Sequence, residues 1–183
     1  MKLLYPGDII LMESEEKGLF RKLKDWFLGS KWGHAAIHIG TMVGNMPMVV
    51  ESKGRGVQIR GLYASEGRYI KVLRYGEACG KKAAEKAYEI GNDVGAWYGY
   101  LDVPMFVIPR LFWLRLTGRN HGFGYRHNPY YICSELVAHA YSGILFDDDF
   151  IPLPGDFETL GLETIFEGVL APMGTCRDKS IKF

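Results

Sequence analysis

The sequence has no CxxC pair: its three cysteines, Cys79, Cys133 and Cys176, stand far apart. That removes the spacing that builds zinc ribbons and dithiol redox centres. An odd number of cysteines cannot all pair within one chain, so at least one thiol is free. Charge of one sign is lacking too, with 22 Lys plus Arg against 21 Asp plus Glu and a formal net charge of +1. Nucleic acid, which demands a clearly basic face, is not an expected partner. The longest apolar stretch, Val103 to Leu116, is interrupted by Pro104, Pro109, Arg110 and Arg115. It falls short of the ~20 residues that span a bilayer. The residues ahead of Pro6-Gly7-Asp8 form no apolar run of the ~7 to 15 residues a secretory signal core needs, so a cytoplasmic, reducing location is expected. No internal repeat or low-complexity linker divides the chain. His121, His127 and His139 lack the spacing of a metal site, and Gly118 to Gly124 lacks the lysine and helix of a phosphate loop. Neither metal nor cofactor is expected.

What is present is a chain of 183 residues, 48% of them apolar, which is enough for one domain with a real core. Ile9-Ile10-Leu11-Met12 is a continuous apolar run of strand length. Leu19, Phe20, Leu23, Trp26 and Phe27 recur every three or four residues while Arg21, Lys22, Lys24 and Asp25 fill the other side, so 17–32 reads as a basic amphipathic helix. Strands are expected at Gly33 to Gly40, Pro47 to Ser52, Gly56 to Arg60 and Tyr69 to Arg74. The Ala, Lys and Glu of 77–90, with Gly91 directly behind, predict a helix with a glycine stop. An irregular segment rich in Gly and aromatics, 92–128, separates it from a second helix with Cys133, Leu136, Val137 and Ala140 on one face. The expected class is α+β, a small, mostly antiparallel sheet or barrel packed against helices.

A cysteine early in a helix is the position that invites nucleophilic catalysis, because the helix N-terminus favours thiolate over thiol. Such chemistry needs an imidazole within hydrogen-bond reach and an acceptor that fixes its tautomer. His34 and Glu51, 51 − 34 = 17 residues apart on neighbouring predicted strands, fit those roles. A lone cysteine on an apolar helix face is more often packing than chemistry; the partners are what raise Cys133 above that reading. Cys79 and Cys176 read as inert thiols.

The blocks Tyr5-Pro6-Gly7-Asp8-Ile9-Ile10-Leu11, Gly33-His34-Ala35-Ala36-Ile37-His38-Ile39-Gly40, Val49-Val50-Glu51, Gly56-Val57 and Tyr131-Ile132-Cys133-Ser134-Glu135-Leu136-Val137 span most of the chain. Together they resemble the circularly permuted NlpC-like cysteine hydrolases, the YiiX/YebB-like group of the papain-fold superfamily. The resemblance implies a permuted papain-like fold over 1–183 in which the nucleophile helix follows the barrel. By position it implies Cys133 as nucleophile, His34 as general base and acid, and Glu51 as the orienting residue. Tyr131, Ser134, Trp32 and His38 are the candidate substrate-contacting residues. Two departures stand out: His38 occupies a position where an apolar residue is expected, and Val103 to Arg119 is an elaboration within the substrate-side segment 92–128.

Three functions compete. The first is a cysteine amidase or peptidase acting on a small peptide or amide, of cell-wall type by resemblance. The second keeps the nucleophile but acts on lipid, as an acyltransferase like the permuted lecithin:retinol acyltransferase relatives. It draws on peripheral membrane contact through 17–32 and 104–116, where aromatic and basic residues interleave. The third is a ligand-binding module without catalysis. None requires an obligate protein partner.

Overall fold

The computed structural model describes residues 4–15, 18–19, 22, 25, 29–44, 46–93, 97–98, 109, 112–113, 116, 130–141, 143–146, 150 and 152–171. The strands and α-helices whose bounds lie wholly among them number eight and two: β1 Ile9–Glu13, β2 Trp32–Val43, β3 Met46–Lys53, β4 Gly56–Gly61, β5 Tyr69–Arg74, α1 Glu77–Asn92, β6 Trp97–Tyr98, β7 Tyr130–Tyr131, α2 Cys133–Ala140 and β8 Glu163–Val169. Six strands form one sheet in the order β4-β3-β2-β1-β5-β8. Every neighbouring pair in it is antiparallel. β6 and β7 form a separate short parallel pair. The class is α+β, as the sequence predicts.

The apolar run of β1 is explained by its place in the sheet. Flanked by β2 and β5, it is buried on both faces, so no polar alternation is tolerated. Ile9 and Leu11 join Ala35, Ile37, Val50 and Leu73 against Ala83 and Ala87 of α1 and Leu136, Val137 and Ala140 of α2. Ile10 and Met12 face the other way, with Ala36, Val49, Ile70, Val72, Leu62 and Leu170. Each Ile, Leu, Val or Met among them removed from water contributes roughly 1.5–3 kcal/mol.

Two features steer the site. The first is the turn Pro6-Gly7-Asp8, over which α1 crosses with almost no clearance. Gly7 has a φ of +90°, and a Cβ on it would lie 2.2 Å from the Cα of Gly80. Only glycine fits there. The second is a bulge between β1 and β2: Met12 pairs with His34 while Glu13 pairs with Trp32. The extra residue, Gly33, resets the alternation. Trp32 therefore joins the helix-side core with Ala35 and Ile37, whereas His34 keeps the parity of Ala36.

Several boundaries differ from expectation. Trp32 opens β2 instead of closing a helix, and β2 runs on to Val43, past the expected end at Gly40. The sheet continues across this stretch through Met42–Pro47 and Val43–Met46 after an irregularity in the ladder. β8, unforeseen in the tail, pairs with β5 as an edge strand whose side chains are mostly half-buried or exposed. Within the expected helix 17–32, Gly18, Leu19, Lys22 and Asp25 are helical. Phe20, Arg21, Leu23, Lys24, Trp26 and Phe27 lie outside the described residues, as do most of 92–128, the acidic run 147–149 and Cys176.

Candidate active site

Cys133 is the first residue of α2, behind Ile132, whose backbone is extended. The helix begins there because Glu135 reaches back to accept a hydrogen bond from the Ile132 N–H at 3.3 Å, occupying an otherwise orphaned donor. Both ends of α2 are tied down, one to the sheet and the other to the turn that leads into β1. Ser52 of β3 donates to the carbonyl of Tyr131 at 2.6 Å, two residues before Cys133. Beyond the far end, the buried Tyr141 hydroxyl donates to the carbonyl of Gly7 at 2.6 Å.

The β2–β3 ladder ends at Ala36–Glu51, and the last pair on that side of the sheet is where the titratable groups meet. His34 and Glu51 share one face, and their side chains join: His34 Nε2 lies 2.8 Å from Glu51 Oε2, with both residues buried. Because Glu51 accepts from Nε2, the Nδ1 side of the ring is left for Cys133, with which His34 has a hydrogen bond. The backbone N–H groups of Ala35 and Ser134 also bond Cys133. The sulfur thus stands at a helix N-terminus, beside an imidazole and two backbone donors.

Charge follows from this arrangement. Burial opposes a charge on His34, but the attraction of Cys133 and its hydrogen bond, together with Glu51, outweigh it and push the imidazole up to about 9. Burial works against the Cys133 thiolate as well. The charge and hydrogen bond of His34, followed by the N–H groups of Ala35 and Ser134, overcome it and hold the thiol below its ordinary value. For Glu51 burial is again the largest opposing influence; His34 first, then Lys53 and Arg60, bring it down to about 2. The arrangement favours the thiolate–imidazolium form of the Cys133–His34 pair over the uncharged one, beside an ionised Glu51.

Glu51 carries two further partners that sequence reasoning missed. Arg60 Nη1 donates to Oε1 at 2.9 Å, and Lys53 Nζ lies 3.4 Å from the same oxygen. The hairpin register explains both: Arg60 of β4 stands opposite Val49, diagonal to Glu51, and Lys53 is two residues further along β3. Their signal was the short Gly54-Arg55 connection, which fixes that register.

Of the four substrate-side candidates, Ser134 meets Cys133 through its backbone N–H, and the side chains of all four have neighbours of their own. Trp32 is fully buried, stacked on Tyr69 at 6.3 Å between ring centroids. Ser134 is fully buried and its hydroxyl donates to the Pro152 carbonyl at 2.5 Å. Tyr131 is half-buried with its ring 5.5 Å from that of His139. His38 is buried, with Nδ1 donating to the Tyr5 carbonyl at 3.0 Å. Burial lowers its pKa, so it stands neutral beside the Asp8–Arg74 pair, in which Arg74 donates to both carboxylate oxygens at 2.7 and 2.6 Å. Among the described residues, no group of three or more His, Cys, Asp or Glu is arranged to hold a metal ion. Nor is any helix among them long and apolar enough to cross a membrane.

No curated protein matches the chain. A family model does, described as the permuted papain-like amidase enzyme, YaeF/YiiX, C92 family. The match covers residues 4–104, more than half of the chain, and includes His34 and Glu51; Cys133 lies beyond it. A cysteine paired with a histidine is the working pair of papain-like cysteine hydrolases. The chain belongs to this permuted papain-like amidase family, and with it to the cysteine hydrolases.

Proposed function

We propose that the protein hydrolyses an amide or peptide bond through a thioester on Cys133, with the nucleophile carried on a helix that follows the sheet in the permuted order. The observation that carries this reading is the buried His34–Glu51 pair at 2.8 Å coupled to Cys133 at the start of α2. The Cys133 thiolate attacks the carbonyl carbon, and the backbone N–H of Cys133 supports the oxyanion. His34 gives its Nδ1 proton to the departing nitrogen, the C–N bond breaks and the thioester remains. Neutral His34 then takes a proton from water, whose oxygen attacks the thioester. The C–S bond breaks, the acid leaves and the thiolate–imidazolium pair returns. Peptides of cell-wall type are the first substrates to assay.

The test needs no substrate. At pH 6 iodoacetamide alkylates Cys133 faster than Cys79 and Cys176, and His34→Ala slows Cys133 to the rate of the other two. Slow and equal reaction of all three thiols in the unmodified chain sinks the catalytic reading in favour of a ligand-binding module.

A second reading, action on an acylated or lipid substrate at a membrane surface, is favoured by one observation. Phe112, Trp113 and Leu116 are exposed at 63%, 45% and 67% while in helical conformation, at the spacing that puts them on one side. From 103 to 134 the sequence has no acidic residue and carries Arg110, Arg115, Arg119 and Arg126. This is the composition of an interfacial segment on anionic lipid. Vesicles of phosphatidylglycerol retain the protein, Trp113→Ala lowers the retention about threefold or more, and phosphatidylcholine vesicles do not retain it. Equal retention of Trp113→Ala and the unmodified chain discards this reading.

A further inference from the structure

We propose that Arg60 is a positioning residue for this site: its guanidinium fixes Glu51 Oε1 so that Oε2 stays on His34 Nε2 whatever the charge on the imidazole. The inference rests on the catalytic reading given above and adds a residue that the family match does not single out.

The two oxygens of Glu51 have separate duties. Oε2 meets His34 at 2.8 Å, whereas Oε1 meets Arg60 at 2.9 Å and Lys53 at 3.4 Å. A carboxylate only 1% exposed needs charged or hydrogen-bonding partners to stay ionised in that setting. In the resting enzyme the imidazolium supplies one of them. In the acyl-enzyme it does not, because the sulfur is esterified and His34 has given up its proton. At that stage the positive charge held against Glu51 is Arg60 and Lys53. That stage also makes the strictest demand on His34, which must keep its proton on Nε2 so that Nδ1 is free to accept one from water. A carboxylate that turns away, or takes up a proton, loses that tautomer.

The charged groups around Glu51 come from three strands. His34 is on β2, Lys53 on β3 and Arg60 on β4. Residue 58, directly opposite Glu51 on β4, is the uncharged Gln58. By charge alone Lys53 acts on Glu51 more than Arg60 does, but it is the less directed anchor: it stands at 3.4 Å, and its ammonium is also 3.9 Å from Glu15, which in turn pairs with Arg68 at 2.8 Å. Arg60 reaches across the hairpin with a directed N–H bond, and its planar guanidinium keeps a geometry that a flexible ammonium does not. Its side chain is 31% exposed on an edge strand, so replacing it removes little buried surface.

The experiment is the pH dependence of Cys133 alkylation by iodoacetamide in the full chain, with thermal melts as a check of folding. In Arg60→Met the acid limb of the rate moves up by about half a pH unit or more, because a looser Glu51 weakens the imidazolium that stabilises the thiolate. Arg60→Lys recovers part of that displacement, and Lys53→Met causes a smaller one. An Arg60→Met limb that coincides with that of the unmodified chain overturns the proposal. So does an equal displacement in Arg60→Met and Lys53→Met, which is the signature of a nearby charge without positioning. A Cys133 that is no faster than Cys79 in the unmodified chain is a different result: it removes the catalytic reading itself, and the role of Arg60 with it.

Discussion

Cys133→Ala removes amide hydrolysis, with kcat/KM falling by about ten-thousand-fold or more, and His34→Ala falls nearly as far because nucleophile and base act as a unit. Cys79→Ala leaves the rate within about twofold. The contrast follows from where the thiols lie. Cys133 opens α2 beside His34, Ala35 and Ser134, which together hold its thiol below the ordinary range. Cys79 sits in the first turn of α1, in the electrostatic surroundings of Tyr141, past the other end of α2. Eight residues of helix separate those ends, about 12 Å of rise. Turnover of a chromogenic peptide amide, measured beside the melting curve of each variant, checks the result. Hydrolysis that persists in a folded Cys133→Ala protein rejects Cys133 as the nucleophile.

Glu51→Gln has the next largest effect, a fall in kcat/KM of about a hundred- to a thousand-fold with the fold retained. The amide keeps nearly the shape of the carboxylate but not its charge. The imidazolium then loses one of the two influences that hold His34 at about 9, and the alkaline limb of activity moves down toward 6.5. Stability changes with a definite sign. Glu51 is depressed from 4.5 to about 2, so its contribution is present above 4.5 and is lost as pH falls through about 2. His34 is raised from 6.5 to about 9, so its contribution is present below 6.5 and is lost as pH rises through about 9. The pair is therefore worth most between 4.5 and 6.5. At pH 5.5 the Glu51→Gln protein is less stable by about 2 kcal/mol, and the difference shrinks toward either extreme. Melting temperatures across that range read it directly; a constant difference from pH 3 to pH 10 contradicts the coupling of Glu51 to His34.

The sequence disclosed elements whose local chemistry is decisive, and missed those decided by distant partners. The run at Ile9 to Met12 reads as a buried strand because four consecutive apolar residues directly behind the Pro6-Gly7-Asp8 turn are of strand and not helix length. The helix ahead of Gly91 was legible in its Ala, Lys and Glu, although it continues through Asn92 before Asp93 ends it. β8 was not legible: as an edge strand paired only with β5 it needs no apolar alternation, and its Glu163, Thr164 and Glu167 look like loop. The bulge at Gly33 was hidden as well, and with it the fate of Trp32, since alternation counted from residue 32 assigns that ring to the face of His34. In the candidate site, Cys133, His34 and Glu51 were nameable only together, through their mutual fit and the resemblance of their blocks, since a lone cysteine on an apolar helix face is more often packing. Arg60 was not nameable, because its relation to Glu51 is a diagonal across a hairpin whose register only the folded sheet states. Ser134, next to a reactive thiol, is turned instead to the Pro152 carbonyl, a contact 18 residues away that no local pattern announces.

The order of the three groups along the chain has a consequence during synthesis. His34 and Glu51 lie on adjacent strands and emerge together, while Cys133 follows 133 − 51 = 82 residues later. Until α2 docks, with Ser52 on the Tyr131 carbonyl and Tyr141 on that of Gly7, the thiol is an ordinary one. That docking is a non-local contact, whose loop-closure entropy must be met before the contact forms. The lowered pKa of this thiol is therefore a property of the completed fold and not of the Cys133 segment alone.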